Sequence, residues 1–215
     1  MTETRSSTLR LILWPSVITL VINIVRAVGQ HEGWFTKASG GGGALVGITW
    51  LPLVFGPWFA WRLRKGGSTP RVARPWTWSL LAVLPLVIGG ALTVPALLDA
   101  NADEAGYATL RTAALAAIAG AVIGAIRQFV VWPRLAWILL AYAIPARLTV
   151  VALTWFAKSN GWDSHYTKFG PKGWEFDMEG TMSRAALMQL GFWVPVAVLS
   201  GTLLGTALFG RAKKA

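Results

Sequence analysis

The side chains best equipped for chemistry in this 215-residue chain are two arginines in apolar surroundings, Arg26 and Arg147, and four imidazoles and carboxylates, His31, Glu32, Asp163 and His165. A guanidinium keeps its charge and presents a planar fork of donors, which suits it to a carboxylate or a phosphate. Pro145 stands two residues before Arg147. It removes a backbone donor and crowds the preceding turn, so an arginine beside it could hold a substrate carboxylate or a lipid headgroup. The structural alternative is that Arg147 bonds freed carbonyls or extends its charge toward the interface.

Imidazole and carboxylate together are competent ligands for a first-row transition metal. His31, Glu32, Asp163 and His165 therefore form a possible outer polar cluster, where a metal would activate water and an arginine would stabilise developing negative charge. Their spacing matches no established metal motif, and the chain has no cysteine. No resident cofactor is expected, and no catalytic residue can be assigned. Gly40–Gly43 lack the lysine and hydroxyl of a phosphate-binding loop, and the Ser164-His165 pair alone builds no triad.

These residues sit in or beside six long apolar stretches: 9–28, 45–63, 78–98, 110–131, 135–156 and 185–209. A hydrophobic share of 54% with 13% charged residues is too apolar for an ordinary soluble domain. Each stretch can cross a slab roughly 30 Å thick at about 1.5 Å per residue, and continuous apolar runs favour helices over barrel strands. The expected fold is all-α, a polytopic membrane helix bundle of six transmembrane helices forming one integral membrane domain over 1–215. Residues 157–183 are expected to make an ordered outer loop or cap between the fifth and sixth helices, with Ser183 capping a helix that starts near Arg184.

Charge placement gives the orientation. Twenty Lys and Arg against nine Asp and Glu leave a net charge of +11. Arg5, Arg10, the Arg62–Arg74 cluster, Arg127, Arg134 and the Arg211–Lys214 tail fall on one predicted side with Glu3 as their only acidic companion; the remaining carboxylates fall on the other. By the positive-inside rule both termini are cytoplasmic, as in a multi-pass protein of a bacterial-type cytoplasmic (inner) membrane. The basic face is matched to anionic headgroups, and without a recognition module the charge does not indicate nucleic acid.

Counting from Arg134 places Arg147 roughly 20 Å into the membrane, where a charge must face protein, water or a headgroup. Thirteen tryptophans suit the two interfaces, with Trp50 and Trp193 deeper. Trp132 is among those assigned to the inner boundary. Prolines 52, 57, 85, 95, 145 and 195 interrupt the stretches. Gly120 and Gly124, and again Gly201 and Gly205, form small-residue pairs for close helix packing. The alanine-rich fourth stretch is expected to be the central, protein-covered helix. Gly33-Trp34 and Gly161-Trp162, like Trp14-Pro15 and Trp132-Pro133, form a weak echo between the start and the end of the chain.

The leading functional expectation is a noncatalytic integral membrane subunit or assembly scaffold, partnered by membrane lipids and by another protein or a second copy. A small transporter or lipid-handling protein for an anionic substrate is the first alternative, with Arg26 and Arg147 recognising the charge. An outer-interface metal-assisted hydrolase or transferase is the second.

Overall fold

A computed structural model of the chain describes residues 2–37, 47–98, 104–169 and 174–210. Among these residues eight α-helices follow one another: α1 (Thr2–His31), α2 (Leu51–Lys65), α3 (Pro75–Leu81), α4 (Leu84–Leu98), α5 (Glu104–Val131), α6 (Pro133–Ser159), α7 (Met178–Ala186) and α8 (Val194–Phe209). A π-helical segment, Leu187–Trp193, makes α7 and α8 continuous. Among the described residues five segments are long and apolar enough to cross a membrane: Thr8–His31, Pro75–Leu92, Ala108–Val131, Pro133–Ser159 and Met178–Phe209. The protein is an all-α, membrane-spanning helix bundle.

The second apolar stretch differs from expectation. Its helix, α2, has 15 residues and so reaches only about 22 Å. Pro52 lies at its start, where a missing N–H costs nothing, so this proline begins the helix instead of kinking it. The third stretch is divided: α3 stops at Leu81 and α4 starts at Leu84. Pro85 explains the break, since its ring would press on the carbonyl of Leu81.

Surface chemistry is that of a lipid-solvated bundle. Val17, Ile18, Leu20, Val21, Ile24 and Val25 of α1 face outward, while Thr19, Asn23 and Gln30 on the same helix are buried. Water would drive the opposite arrangement; acyl chains permit it. The buried polar groups are matched. Thr19 Oγ1 donates to the Pro15 carbonyl at 2.7 Å and so accepts from the Tyr142 hydroxyl at 2.7 Å, while Asn23 Nδ2 reaches the Ala146 carbonyl at 3.5 Å. These bonds lay α1 against α6.

The core lies between α2, α6 and α8, with Phe59, Leu135, Leu139, Tyr142 and Val198 buried. Half of the α6 apolar window is buried against 39% of that in α5, so α6 holds the centre expected of the alanine-rich helix. Small side chains let α5 approach closely on one face, while Leu115, Ile123, Ile126 and Val130 on the other face outward. A Cβ added at Gly120 would meet the Pro85 carbonyl, and one at Gly124 would meet Ala82 and Leu199. Gly201 lies against the backbone of Gly56, and a Cβ at Gly205 would touch Leu135 and Ala60. All four glycines thus serve contacts within the chain.

The ends of the bundle are chemically distinct. Arg64 Nη1 donates to the Phe209 carbonyl at 2.6 Å, and the Arg71 amide donates to Val131 at 2.9 Å, bringing the ends of α2, α5 and α8 together. A cation there suits the partial negative charge of the α8 C-terminus. Trp132, expected at the interface, is instead fully buried, its Nε1 donating to Ser68 Oγ at 3.1 Å.

At the opposite end the Gly-Trp echo acquires a physical meaning. Gly33 and Gly161 both adopt positive φ, at 81° and 63°. The amides of Trp34 and Trp162 then bond back to Gly29 at 2.6 Å and Ala157 at 2.8 Å, so one kind of left-handed glycine stop ends both α1 and α6. The Trp-Pro echo has no such unity: Pro15 is interior to α1, whereas Pro133 opens α6. Further on, the helix expected to start near Arg184 begins at Met178. Asp177 is its cap, accepting from the Gly180 amide at 2.7 Å, while Ser183 bonds within the helix.

Candidate functional site

Arg26 and Arg147 line one cavity of about 300 Å³. α1 contributes Asn23 and Arg26, one turn apart on the buried face, and α6 contributes Arg147 and Val150. Ile48 and Thr49, just before α2, close one side. Gly47 lies against the Arg26 guanidinium, which a Cβ there would displace.

The π-helical segment supplies Gln189 and Trp193 to the same cavity. Pro195, two residues beyond the segment, cannot donate to the carbonyl four residues earlier, that of Gly191, and its ring crowds that turn. Widening to a π-helix accommodates the misfit and turns a polar amide and an indole inward. Arg147 Nη1 donates to Gln189 Oε1 at 3.3 Å, and the guanidinium carbon lies 5.1 Å from the centre of the Trp193 ring.

Arg147 is only 5% exposed. Among the described residues no carboxylate lies within ion-pair distance of it, and no carboxylate lines the cavity. The Arg26 and Arg147 charges repel each other across the site. A neutral amide and an aromatic face soften the burial of a cation but do not balance its charge.

The roof of the cavity comes from the segment after α6. A 3-10 turn, His165–Thr167, buries Tyr166 against Ala27, Ile48, Leu51, Ala146 and Val150 and brings His165 to the cavity. Gln30 Nε2 donates to the Thr36 carbonyl at 2.8 Å, which turns Oε1 toward His165 Nδ1 at 2.6 Å. Nδ1 therefore carries the proton. Burial, reinforced by the Arg26 charge, pushes the imidazole down to about 3, so the ring is neutral near pH 7. Burial also pushes the Tyr166 phenol up to about 12, with Arg26 acting weakly against it.

The four residues of the outer polar set go separate ways. His31 stacks on Trp162 with ring centres 4.1 Å apart and planes 15° from parallel. Asp163 pairs with Lys168 at 2.6 Å, a bond that holds its carboxyl below the usual range, and Glu32 is exposed. His165 alone reaches the cavity. Among the described residues no group of three or more His, Asp or Glu could hold a metal ion.

Sequence reasoning singled out the two arginines and overlooked Asn23, Tyr166 and Gln189. A signal was present for two of them: Asn23 and Gln189 are the only side-chain amides in the first and last apolar stretches. No family model, curated protein or solved structure matches this chain.

Proposed function

We propose that this chain is a noncatalytic integral membrane protein of the lipid-handling or small-transporter kind, which takes the carboxylate or phosphate of an anionic ligand between Arg26 and Arg147. The observation that carries this reading is the burial of Arg147 beside a second arginine in a cavity to which no described residue contributes a carboxylate. A charge held out of water needs a counter-charge or strong donors and acceptors around it. An anion entering the cavity supplies that counter-charge. Gln189 then orients the Arg147 fork, and Trp193 gives the ligand an apolar wall.

In this reading α2 completes six crossings, and the start of α1 and the end of α8 lie at the basic end, on the cytoplasmic side of a bacterial-type inner membrane. The scaffold reading draws less support. Gly120, Gly124, Gly201 and Gly205, the faces it would use to bind a partner or a second copy, are occupied by contacts within the chain. The hydrolase reading lacks a converging ligand set among the described residues.

The test is binding of a fluorescent fatty acid to the purified full-length chain, compared with the fatty alcohol of the same length. Saturable binding of the acid alone, lost in Arg147→Ala and retained in Arg147→Lys, is the expected result. Equal binding by all three proteins removes Arg147 from the site.

A further inference from the structure

A second pocket, at the opposite end of the bundle and independent of the first, has the chemistry of a headgroup site. It encloses about 540 Å³ between α1, α2 and α6. That volume falls within the roughly 300–1,000 Å³ typical of small-ligand pockets. Each of the three helices contributes one arginine: Arg10, Arg62 and Arg134. Among the described residues no carboxylate lines the pocket, where three exposed cations are brought together.

Two neighbouring basic side chains are engaged elsewhere, while Arg62 itself lies 5.9 Å from the centre of the Trp61 ring. Arg64 donates to the Phe209 carbonyl, and the Lys65 ammonium lies 4.0 Å from the centre of the Trp61 ring. The remaining walls are mostly apolar or amphipathic: Leu11, Trp14, Trp58 and Ile138. Free phosphate would use the guanidinium groups and leave those walls unoccupied. A phospholipid uses both, its phosphodiester among the arginines and its glycerol and upper acyl chain along the tryptophans and aliphatic side chains.

We propose that the pocket formed by Arg10, Arg62 and Arg134 with Trp14 and Trp58 binds the phosphodiester headgroup of an anionic glycerophospholipid at the basic face of the membrane. The ligand is then a resident lipid that ties α1 to α2 and α6 at that face. It differs from the occupant of the Arg26 and Arg147 cavity in depth and in membrane leaflet.

The experiment is native mass spectrometry of the full-length chain in neutral detergent, titrated with phosphatidylglycerol, phosphatidylcholine or inorganic phosphate. Two variants each remove three charges: Arg10→Gln/Arg62→Gln/Arg134→Gln in the pocket, and Lys65→Gln/Arg71→Gln/Arg74→Gln beside it. Phosphatidylglycerol should stay bound to the wild type and to the second variant, and bind the pocket variant on the order of a hundredfold more weakly, at about fivefold per arginine. Equal weakening in both variants means diffuse surface charge and overturns the site. Equal retention of phosphatidylcholine overturns the charge requirement, and displacement by equimolar phosphate overturns the lipid in favour of the free anion. A photoreactive phosphatidylglycerol provides a test on the wild-type chain that does not depend on how the variants fold. Labelling within residues 8–14, 58–66 and 134–138 supports the pocket, and labelling confined to other segments overturns it.

Discussion

Replacing Arg147 separates a binding charge from a structural strut, because the two roles predict opposite changes in stability. The side chain is 5% exposed and has two polar or aromatic neighbours, Gln189 and Trp193. In Arg147→Met the buried cation disappears, a change that for buried charges ranges from neutral to a gain of about 1–4 kcal/mol. Loss of the cation–π contact costs about 0.5–2 kcal/mol, and the new sulfur–aromatic contact returns about 0.3–1.5 kcal/mol. Gln189 loses its partner, at about 1–3 kcal/mol. The single variant is thus near wild type. Arg147→Met/Gln189→Leu also removes the orphaned amide, and ligand-free it should be more stable by about 1–4 kcal/mol. At roughly 2–4 °C per kcal/mol for a chain of this size, the midpoint rises by roughly 2–16 °C. The assay is thermal unfolding in neutral detergent, with and without a fatty acid. At a hundred times its Kd the fatty acid should stabilise the wild type by about 2.7 kcal/mol and leave the double variant unchanged. A double variant less stable than wild type by more than about 3 kcal/mol would refute the reasoning, since Arg147 would then be part of the packing.

Three further outcomes follow from the contacts. Gly124→Leu drives a side chain into the Ala82 carbonyl and Leu199, so it should destabilise the isolated chain by about 1–3 kcal/mol or more in a denaturing-detergent titration; an unchanged midpoint would place Gly124 on an outer face. Asp177→Ala removes the α7 cap and should cost about 1 kcal/mol, with Asp177→Ser recovering most of it, read by hydrogen exchange at Gly180. His165 is held near 3 in the folded cap against an ordinary value of 6.5, so the unfolded segment binds more protons between those values. Protection of residues 162–168 should therefore be complete above about pH 6.5 and fall as the pH drops toward 3, and His165→Asn should flatten the profile.

Much of the bundle was legible because hydrocarbon imposes a simple demand on length and apolarity, which five helical segments meet among the described residues, one of them divided at Pro85. Misreadings came from residues whose effect depends on position within a turn. Pro52 looks like an interruption in the sequence, yet as the second residue of α2 it is neutral; Pro85 is likewise the second residue of α4, but the apolar residues before it already form α3, so there the proline divides one run into two helices. Alanine richness pointed to α5 as the central helix, but small side chains measure how closely a helix can approach a neighbour, not how many neighbours surround it.

The site was half legible for a related reason. An intramembrane arginine stands out in any apolar stretch, so Arg26 and Arg147 were visible at once. Asn23 belongs to a buried polar stripe with Thr19 and Gln30 that only the inside-out sense of a lipid-solvated helix makes readable. Gln189 and Trp193 owe their inward direction to the π-helical segment before Pro195, a change of helical phase that ordinary periodicity misses. His31 and Asp163 attracted attention by residue type, but their local partners, Trp162 and Lys168, keep them apart.

The most direct measurement is an experimental structure of the full-length chain prepared with its native lipids. Ligand density is expected in the cavity, with an anionic head within hydrogen-bond distance of the Arg147 guanidinium and its apolar part against Trp193. A cavity holding only water, with Arg147 neutralised by a carboxylate of the chain itself, would contradict it.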